Sequence, residues 1–375
     1  MKDKAGITPA VLLLTIFAVL ISCKQQKTEW QGTIEEVDGI TVVKNPKEPM
    51  YGEEVFSLEE ELSIGEVAGT EEYMFSRIDD IAVDDEENIY ILDSKQTHIK
   101  TFNRDGEYLK SIGRKGQGPG ELQYPVNLTI SPMNEILVND YARCLSIFSI
   151  DGNFLRAVSL TTMRMISKPK ADSRGNIVAS YMVFGEEALL VLKKFNSDLE
   201  EMYAIFSTEV LKYPYLNPYY PHCYWEITKD DNIIWGFPTK YELQVLSPEG
   251  NLIKRIVKDY KPVKITNEEK ETLINEKMGG YENIPPEVKI QWDEFHNAFI
   301  YLTVDDFGRI FVRTFEKVIE GNDYYYDVFN SEGKYIAKIP LKARPRVWKK
   351  NKLYTIEEDE EGYQYVKRYK VTWKI

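Results

Sequence analysis

The chain has 375 residues, with 47 basic against 60 acidic side chains and a formal net charge of −13. That balance argues against a nucleic-acid binder, which presents a basic face. Three cysteines and three histidines exclude a disulfide-framed scaffold and argue against a His-rich metal site.

The first 23 residues read as an address rather than as part of the fold. Lys2 and Lys4 precede an apolar run over 11–21, broken only by Thr15. The run is shorter than the roughly 20 residues of a comfortable membrane span. A basic start, a short apolar core and small residues at a cut site describe an export signal over 1–22. The ending Leu20-Ile21-Ser22-Cys23 resembles the lipobox of bacterial lipoproteins. The resemblance implies cleavage before Cys23, acylation of that residue and a lipid anchor in a membrane. Residues 23–33 then read as a polar tether.

From residue 34 to 375 the chain repeats one unit, and the repeat predicts the fold. Residues 78–112 show it best: strand, acidic turn at 84–88, strand, third strand from His98, tight turn ending in Asp105-Gly106, fourth strand. Asp-Gly between alternating apolar stretches is a hairpin signal. The unit returns at 128–158, 169–205, 224–256 and 300–339, with Asp151-Gly152, Glu249-Gly250 and Glu332-Gly333 at the second turn, and in a shorter copy at 345–373. The first apolar residue after the first turn falls at Ile89, Ile136, Ile177, Ile233, Ile310 and Leu353, at intervals of 47, 41, 56, 77 and 43. Four-stranded propeller blades run about 40–50 residues. The long interval holds an insertion at 266–297, which reads as a helix starting at Thr266 and stopping at Gly279-Gly280, then a second short helical stretch after Pro285-Pro286. The prediction is an all-β, six-bladed propeller with a short helical insertion before blade 5. The sixth copy has room for three strands, so its fourth comes from the N-terminal side, where 34–37, 40–43 and 55–62 are all strand-like. A seventh blade built from 30–64 is the alternative.

Residues 81–125 resemble an NHL-type propeller repeat. The match lies in the Ile-Tyr-Ile-x-Asp strand at 89–93, the Phe-x-x-x-Gly turn at 102–106, and the trailing Gly-Gln-Gly-Pro-Gly-Glu-Leu at 116–122 with Pro125. The chain as a whole is similar to the six-bladed propeller lipoproteins of Bacteroides-type bacteria. The resemblance implies an outer-membrane lipoprotein, facing the periplasm or the cell surface, and names no reaction.

No local motif carries catalysis. The glycines at 116–120 lead into a strand, not the helix that a phosphate loop opens, and read as a linker. The acidic stretches at 84–87, 230–231, 305–306 and 357–361 sit at hairpin turns, which favour Asp for backbone bonding. They lack the spacing of a calcium loop. Calcium at the ring centre, supplied by separate blades as in lactonase-type propellers, stays open. His98, His222 and His296 show no metal-ligand spacing, and Cys144 and Cys223 fall in blades 2 and 4, which do not touch.

The candidate ligand-binding residues form two groups. One is the linker 213–225, where five tyrosines and Trp225 are spaced by three prolines; Tyr219, Tyr220, His222 and Trp225 stand out, because rigid aromatic rings on loops bind sugars and peptides. The alternative is that these rings cover the junction of blades 3 and 4 and pack on the insertion. The other is Arg77, Arg143, Arg164 and Arg313, which with His98 are expected on one ring face as an anion-binding patch. The function expected is a non-enzymatic, membrane-anchored module binding a peptide, glycan or partner protein of the envelope. A metal-dependent hydrolase or lyase with a ring-centre site, and an assembly subunit, are the alternatives.

Overall fold

The computed structural model describes residues 29–141, 143–160, 164–184, 188–210, 213–318 and 324–375, without the side chains of Glu53, Arg164 and Met165. Cys23, the export signal and the Arg164 side chain therefore lie outside the described residues.

The chain opens with a hairpin, β1 (Thr33–Val37) and β2 (Ile40–Asn45), followed by β3 (Phe56–Ile64). Blade 1 is β4 (Ile78–Val83), β5 (Ile89–Asp93), β6 (His98–Phe102) and β7 (Tyr108–Ile112). Blade 2 is β8 (Pro125–Ile130), β9 (Glu135–Asp140), β10 (Cys144–Ser149) and β11 (Phe154–Ser159). Blade 3 is β12 (Arg164–Ala171), β13 (Ile177–Val183), β14 (Leu189–Phe195) and β15 (Glu201–Glu209). After the short β16 (Tyr215–Leu216), blade 4 is β17 (Tyr224–Ile227), β18 (Ile233–Gly236), β19 (Glu242–Leu246) and β20 (Leu252–Lys258). The insertion carries α1 (Asn267–Met278) and β21 (Lys289–Ile290). Blade 5 is β22 (Tyr301–Val304), β23 (Ile310–Lys317), β24 (Tyr324–Phe329) and β25 (Tyr335–Leu341), and blade 6 is β26 (Pro345–Lys349), β27 (Lys352–Glu358) and β28 (Gln364–Trp373), completed by β3. The protein is a six-bladed β-propeller. The first strand of each blade lies innermost, with β4 against β8 and β26, β8 against β12, and β17 against β22.

Each blade is buried on both faces, because its alternating side chains meet a different neighbour on each side. In β5, Ile89 and Ile91 pack into the blade 6–1 interface, whereas Tyr90 and Leu92 pack into the 1–2 interface. In β23, Ile310 and Val312 face blade 4 and Phe311 faces blade 6, where its ring stacks on Trp348 at 4.1 Å. Each of the six inter-blade seams has its own apolar cluster.

The turns explain the acidic stretches. Asp84, Asp172 and Asp305 accept backbone N–H bonds from Asn88, Asn176 and Arg309 at 2.8, 2.9 and 2.8 Å. Asp84 and Asp172 are buried caps rather than solvated turn residues. The second turns end in glycine for two reasons. Gly152 has φ 84°, and a Cβ there would lie 2.8 Å from Ile112 of the neighbouring blade.

As expected, blade 6 takes its fourth strand from the N-terminal side, β3 pairing antiparallel with β28. Two other readings are corrected. The 33–45 hairpin instead extends blade 4, with β2 parallel to β20, and no seventh blade forms among the described residues. Buried Asn45 holds it there. Its amide donates to Gly333 O at 2.9 Å and its carbonyl accepts from Tyr335 N at 2.7 Å, tying the hairpin to blade 5. The second helical stretch of the insertion is also absent. At Pro285-Pro286 the chain makes a turn, Val288 N donating to Pro285 O at 2.9 Å, and then enters β21, which pairs in parallel with β16.

Candidate functional site

All six first strands start on the same face of the ring, so corresponding residues of the six blades meet around one axial channel. Its upper mouth, at the strand starts, is a cavity of about 400 Å³ lined by Ser167, His222, Tyr224, Tyr301 and Arg344 among others. Its lower mouth, at the first turns, is a cavity of about 390 Å³. A chamber of about 210 Å³ lies between them, and Lys170 and Glu226 line all three spaces.

The charges of the channel come from opposed blades. Blade 3 contributes Lys168-Pro169-Lys170 and blade 6, diametrically across, Arg344-Pro345-Arg346. Blades 1 and 4, also opposed, contribute Asp80 and Glu226. The alternation of a strand points both cations of each run inward. Proline is tolerated between them because the innermost strand is a sheet edge with no ladder to donate to. Lys168 sits at a register slip of β12 with φ 33°, a left-handed backbone uncommon for a residue with a side chain. Such bulges re-aim side chains, and Lys168 Nζ reaches Asp80 Oδ1 at 3.0 Å across the channel. Lys170 pairs with Glu226. Burial opposes the Lys170 charge, but Glu226 outweighs it, and the pKa lies above the ordinary lysine value. Among the described residues Arg346 makes only long contacts, 3.9 Å to Asp80 and 3.4 Å to the Asp79 carbonyl.

The upper mouth is basic. Four cationic side chains, Lys168, Lys170, Arg344 and Arg346, share it with one carboxylate, Glu226. Arg344 is exposed, stacks over the Tyr301 ring at 4.1 Å, and has no carboxylate partner among the described residues. Burial pushes the Tyr224 hydroxyl up to about 12, against the pull of Arg344 and Arg313, so it stands at the mouth as a neutral donor. Burial and Lys277 hold the His222 pKa below the ordinary value. The lower mouth is acidic, with six carboxylates (Asp84, Asp85, Glu226, Asp231, Asp305 and Asp306) against three lysines.

The donor set fits a calcium ion at the ring centre poorly. Asp80 and Glu226 are already neutralised by Lys168 and Lys170. Among the described residues no three His, Cys, Asp or Glu side chains gather as a ligand shell.

The structure divides the sequence-derived candidates. His222 and Trp225 line the upper mouth, Trp225 largely as core. Arg313 lies behind it, 3.9 Å over the Tyr324 ring, its Nε buried without a partner among the described residues. Arg143 is spent elsewhere. Its guanidinium donates to Asp140 at 2.9 Å and to the Gln117 carbonyl at 2.7 Å, pinning the glycine-rich linker. The amides of that linker bind the chain's own Glu121 carboxylate, at 3.0 Å from Gln117 and 2.9 Å from Gly118. Arg77 pairs with Asp79 at 2.8 Å. His98 starts β6, away from the innermost strands, and burial and Lys100 depress its pKa. Tyr219 and Tyr220 serve packing: Tyr219 lies edge-on to His296 at 4.8 Å and beside Trp292, and Tyr220 donates to the Glu209 carbonyl. The 213–225 linker is zipped to the insertion through β16–β21, Tyr213 to Glu287 and Asn217 to Asp293. Cys144 and Cys223 are free thiols.

Lys168, Lys170, Arg344, Arg346, Asp80 and Glu226 were not among the expected site residues. The available signal was a basic–Pro–basic run at the same blade position in copies 3 and 6.

The DUF5128 family, described as a 6-bladed beta-propeller, matches residues 66–169. No curated protein matches the chain. Among solved structures, a Bacteroides fragilis protein described as exported is similar at 12% identity and TM-score 0.56, over 89% of this chain and 100% of that one. A Bacteroides vulgatus member of the DUF4221 family is similar at 13% identity and TM-score 0.51, over 86% and 99%. A Xanthomonas campestris gluconolactonase aligns at 10% identity and TM-score 0.43, over 78% and 85%, too weakly to carry an argument. The two Bacteroides likenesses establish the fold.

Proposed function

We propose that the protein is an exported, lipid-anchored binding module of the cell envelope, without catalysis of its own, whose upper mouth takes an anionic group of a peptide, glycan or partner protein. One observation carries this reading. Arg344 is exposed and pre-oriented on Tyr301, and no carboxylate among the described residues neutralises it, in a chain of net charge −13. A planar guanidinium held this way suits bidentate capture of an oxyanion. The lipid anchor is supported by the pattern ending at Cys23, and export by the description of the Bacteroides fragilis neighbour. Binding of the purified chain to arrayed anionic glycans and peptides tests the module, and it should weaken as salt rises. Retention that is insensitive to salt, or equal binding of neutral probes, refutes the proposal. Fatty-acid labelling that survives Cys23→Ala refutes the anchor.

A further inference from the structure

The chamber below the basic mouth contains an unmet demand for hydrogen bonds. Asn139 of β9 is fully buried and donates its amide to the Ile166 carbonyl at 3.1 Å, but its Oδ1 has no partner among the described residues. Trp348 of β26 is 7% exposed, and its Nε1 likewise has none. Both residues line the chamber, together with Asp80, Lys168 and Arg346. Buried polar atoms are nearly always paired, with protein or with water, so an unpartnered acceptor and donor on residues lining one cavity mark where a water or a ligand hydroxyl completes the bonding. Hydroxyl groups donate and accept; a carboxylate cannot donate to Asn139. Above the chamber stand further neutral partners, Asn127, Ser167 and Ser180, beside the cations.

A peptide strand is the poorer fit. It would seat by pairing its backbone with a free sheet edge or by filling apolar pockets. Pro169 and Pro345 remove N–H groups from the inner edges of β12 and β26. The free polar groups are instead hydroxyl, amide, indole and guanidinium.

We infer that the channel seats the end of an acidic saccharide. Arg344, Arg346 and Lys168 hold its anionic group, a carboxylate or a sulfate ester, and Asn139 and Trp348 meet its hydroxyls. This rests on the basic-mouth reading proposed above and adds the ligand class to it. The test is calorimetry of the full chain in detergent against tetrasaccharides of galacturonate, glucuronate and mannuronate, a sulfated galactan fragment, their carboxyl-reduced or desulfated counterparts, and hexaglutamate. The expected result is binding of at least one acidic saccharide, weakened more than tenfold by removing its charge. Asn139→Leu and Arg344→Gln should each weaken it about tenfold, the second variant standing in if the first fails to fold. Uronate and sulfate arms identify which anion is read. Hexaglutamate binding with no acidic saccharide bound overturns this inference and leaves the basic-mouth reading standing. No anion bound in any arm overturns both, and saccharide binding unchanged by Arg344→Gln overturns the assigned site.

Discussion

The two ends of the channel are built from the same repeat and carry opposite charge. At the lower mouth the carboxylates serve the fold: Asp84 and Asp305 cap the first turns, Asp231 receives Ser173, Asp85 receives Lys349, and Asp306 receives the Lys350 amide. At the upper mouth the charges exceed what folding uses, since Arg344 pairs with no carboxylate among the described residues and Arg346 only at long range. A turn needs an acceptor to hold its amides, so acidity at the lower end is a by-product of the hairpins. A pair of arginines on an innermost strand answers no such need.

Substitution at the two ends should separate them. Arg344→Ala with Arg346→Ala should weaken anion binding about a hundredfold, at about 1.4 kcal/mol per arginine, whereas Asp85→Asn and Asp306→Asn should leave it within about twofold; titration of each variant with the same anionic probe decides. Equal losses at both ends would break the comparison. Between the ends, Lys168→Met leaves Asp80, 3% exposed, with a 3.4 Å bond from the Leu128 amide and its distant arginine as its remaining partners among the described residues. The loss should be about 1–3 kcal/mol of stability by denaturant unfolding. Glu269 of the insertion offers a control, since it lines none of the channel's cavities. Glu269 caps α1 through Thr266 and pairs with Lys317; burial raises its pKa, but these partners outweigh it and bring it to about 2. Its folded pKa lies below the unfolded value, so its contribution is full above about pH 4.5 and is lost as pH falls toward 2. Glu269→Gln should cost about 1 kcal/mol at pH 7 and remove that part of the acid sensitivity, with anion binding unchanged. His222 sharpens the basic end further. Its pKa is depressed, so it is neutral at pH 7 and gains charge only on acidification below the ordinary histidine range near 6.5. Anion affinity should be flat from about pH 7 to 8 and rise only as pH falls below the ordinary histidine range, a rise absent in His222→Gln. The smallest expected effect is zero: chelator should leave the melting temperature unchanged, because Asp80 and Glu226 are satisfied by lysines.

Much of the architecture was readable along the chain. Turn chemistry and alternation are local, so Asp105-Gly106 and Asp151-Gly152 mark their hairpins wherever the blades end up. The N-terminal hairpin shows the limit. Residues 34–37 and 40–43 were recognisable as strands, yet nothing local says that β2 lies beside β20; that follows from Asn45 meeting Gly333 and Tyr335, 288 and 290 residues away. The candidate site was less readable. His222, Trp225 and Arg313 lie at or behind the mouth, but by sequence Arg143 is indistinguishable from an arginine facing a ligand, and only its bonds to Asp140 and Gln117 separate the two.

The propeller, its six blades and its incomplete last copy thus follow from patterns a few residues long, since each strand and turn is specified by neighbours in sequence. The channel does not. Lys168 meets Asp80 across 88 residues and Lys170 meets Glu226 across 56, and which charges cancel and which stay free depends on closing the ring around one axis. Long-range contact alone sets that balance, because a side chain's charge is legible in a sequence and its partner is not.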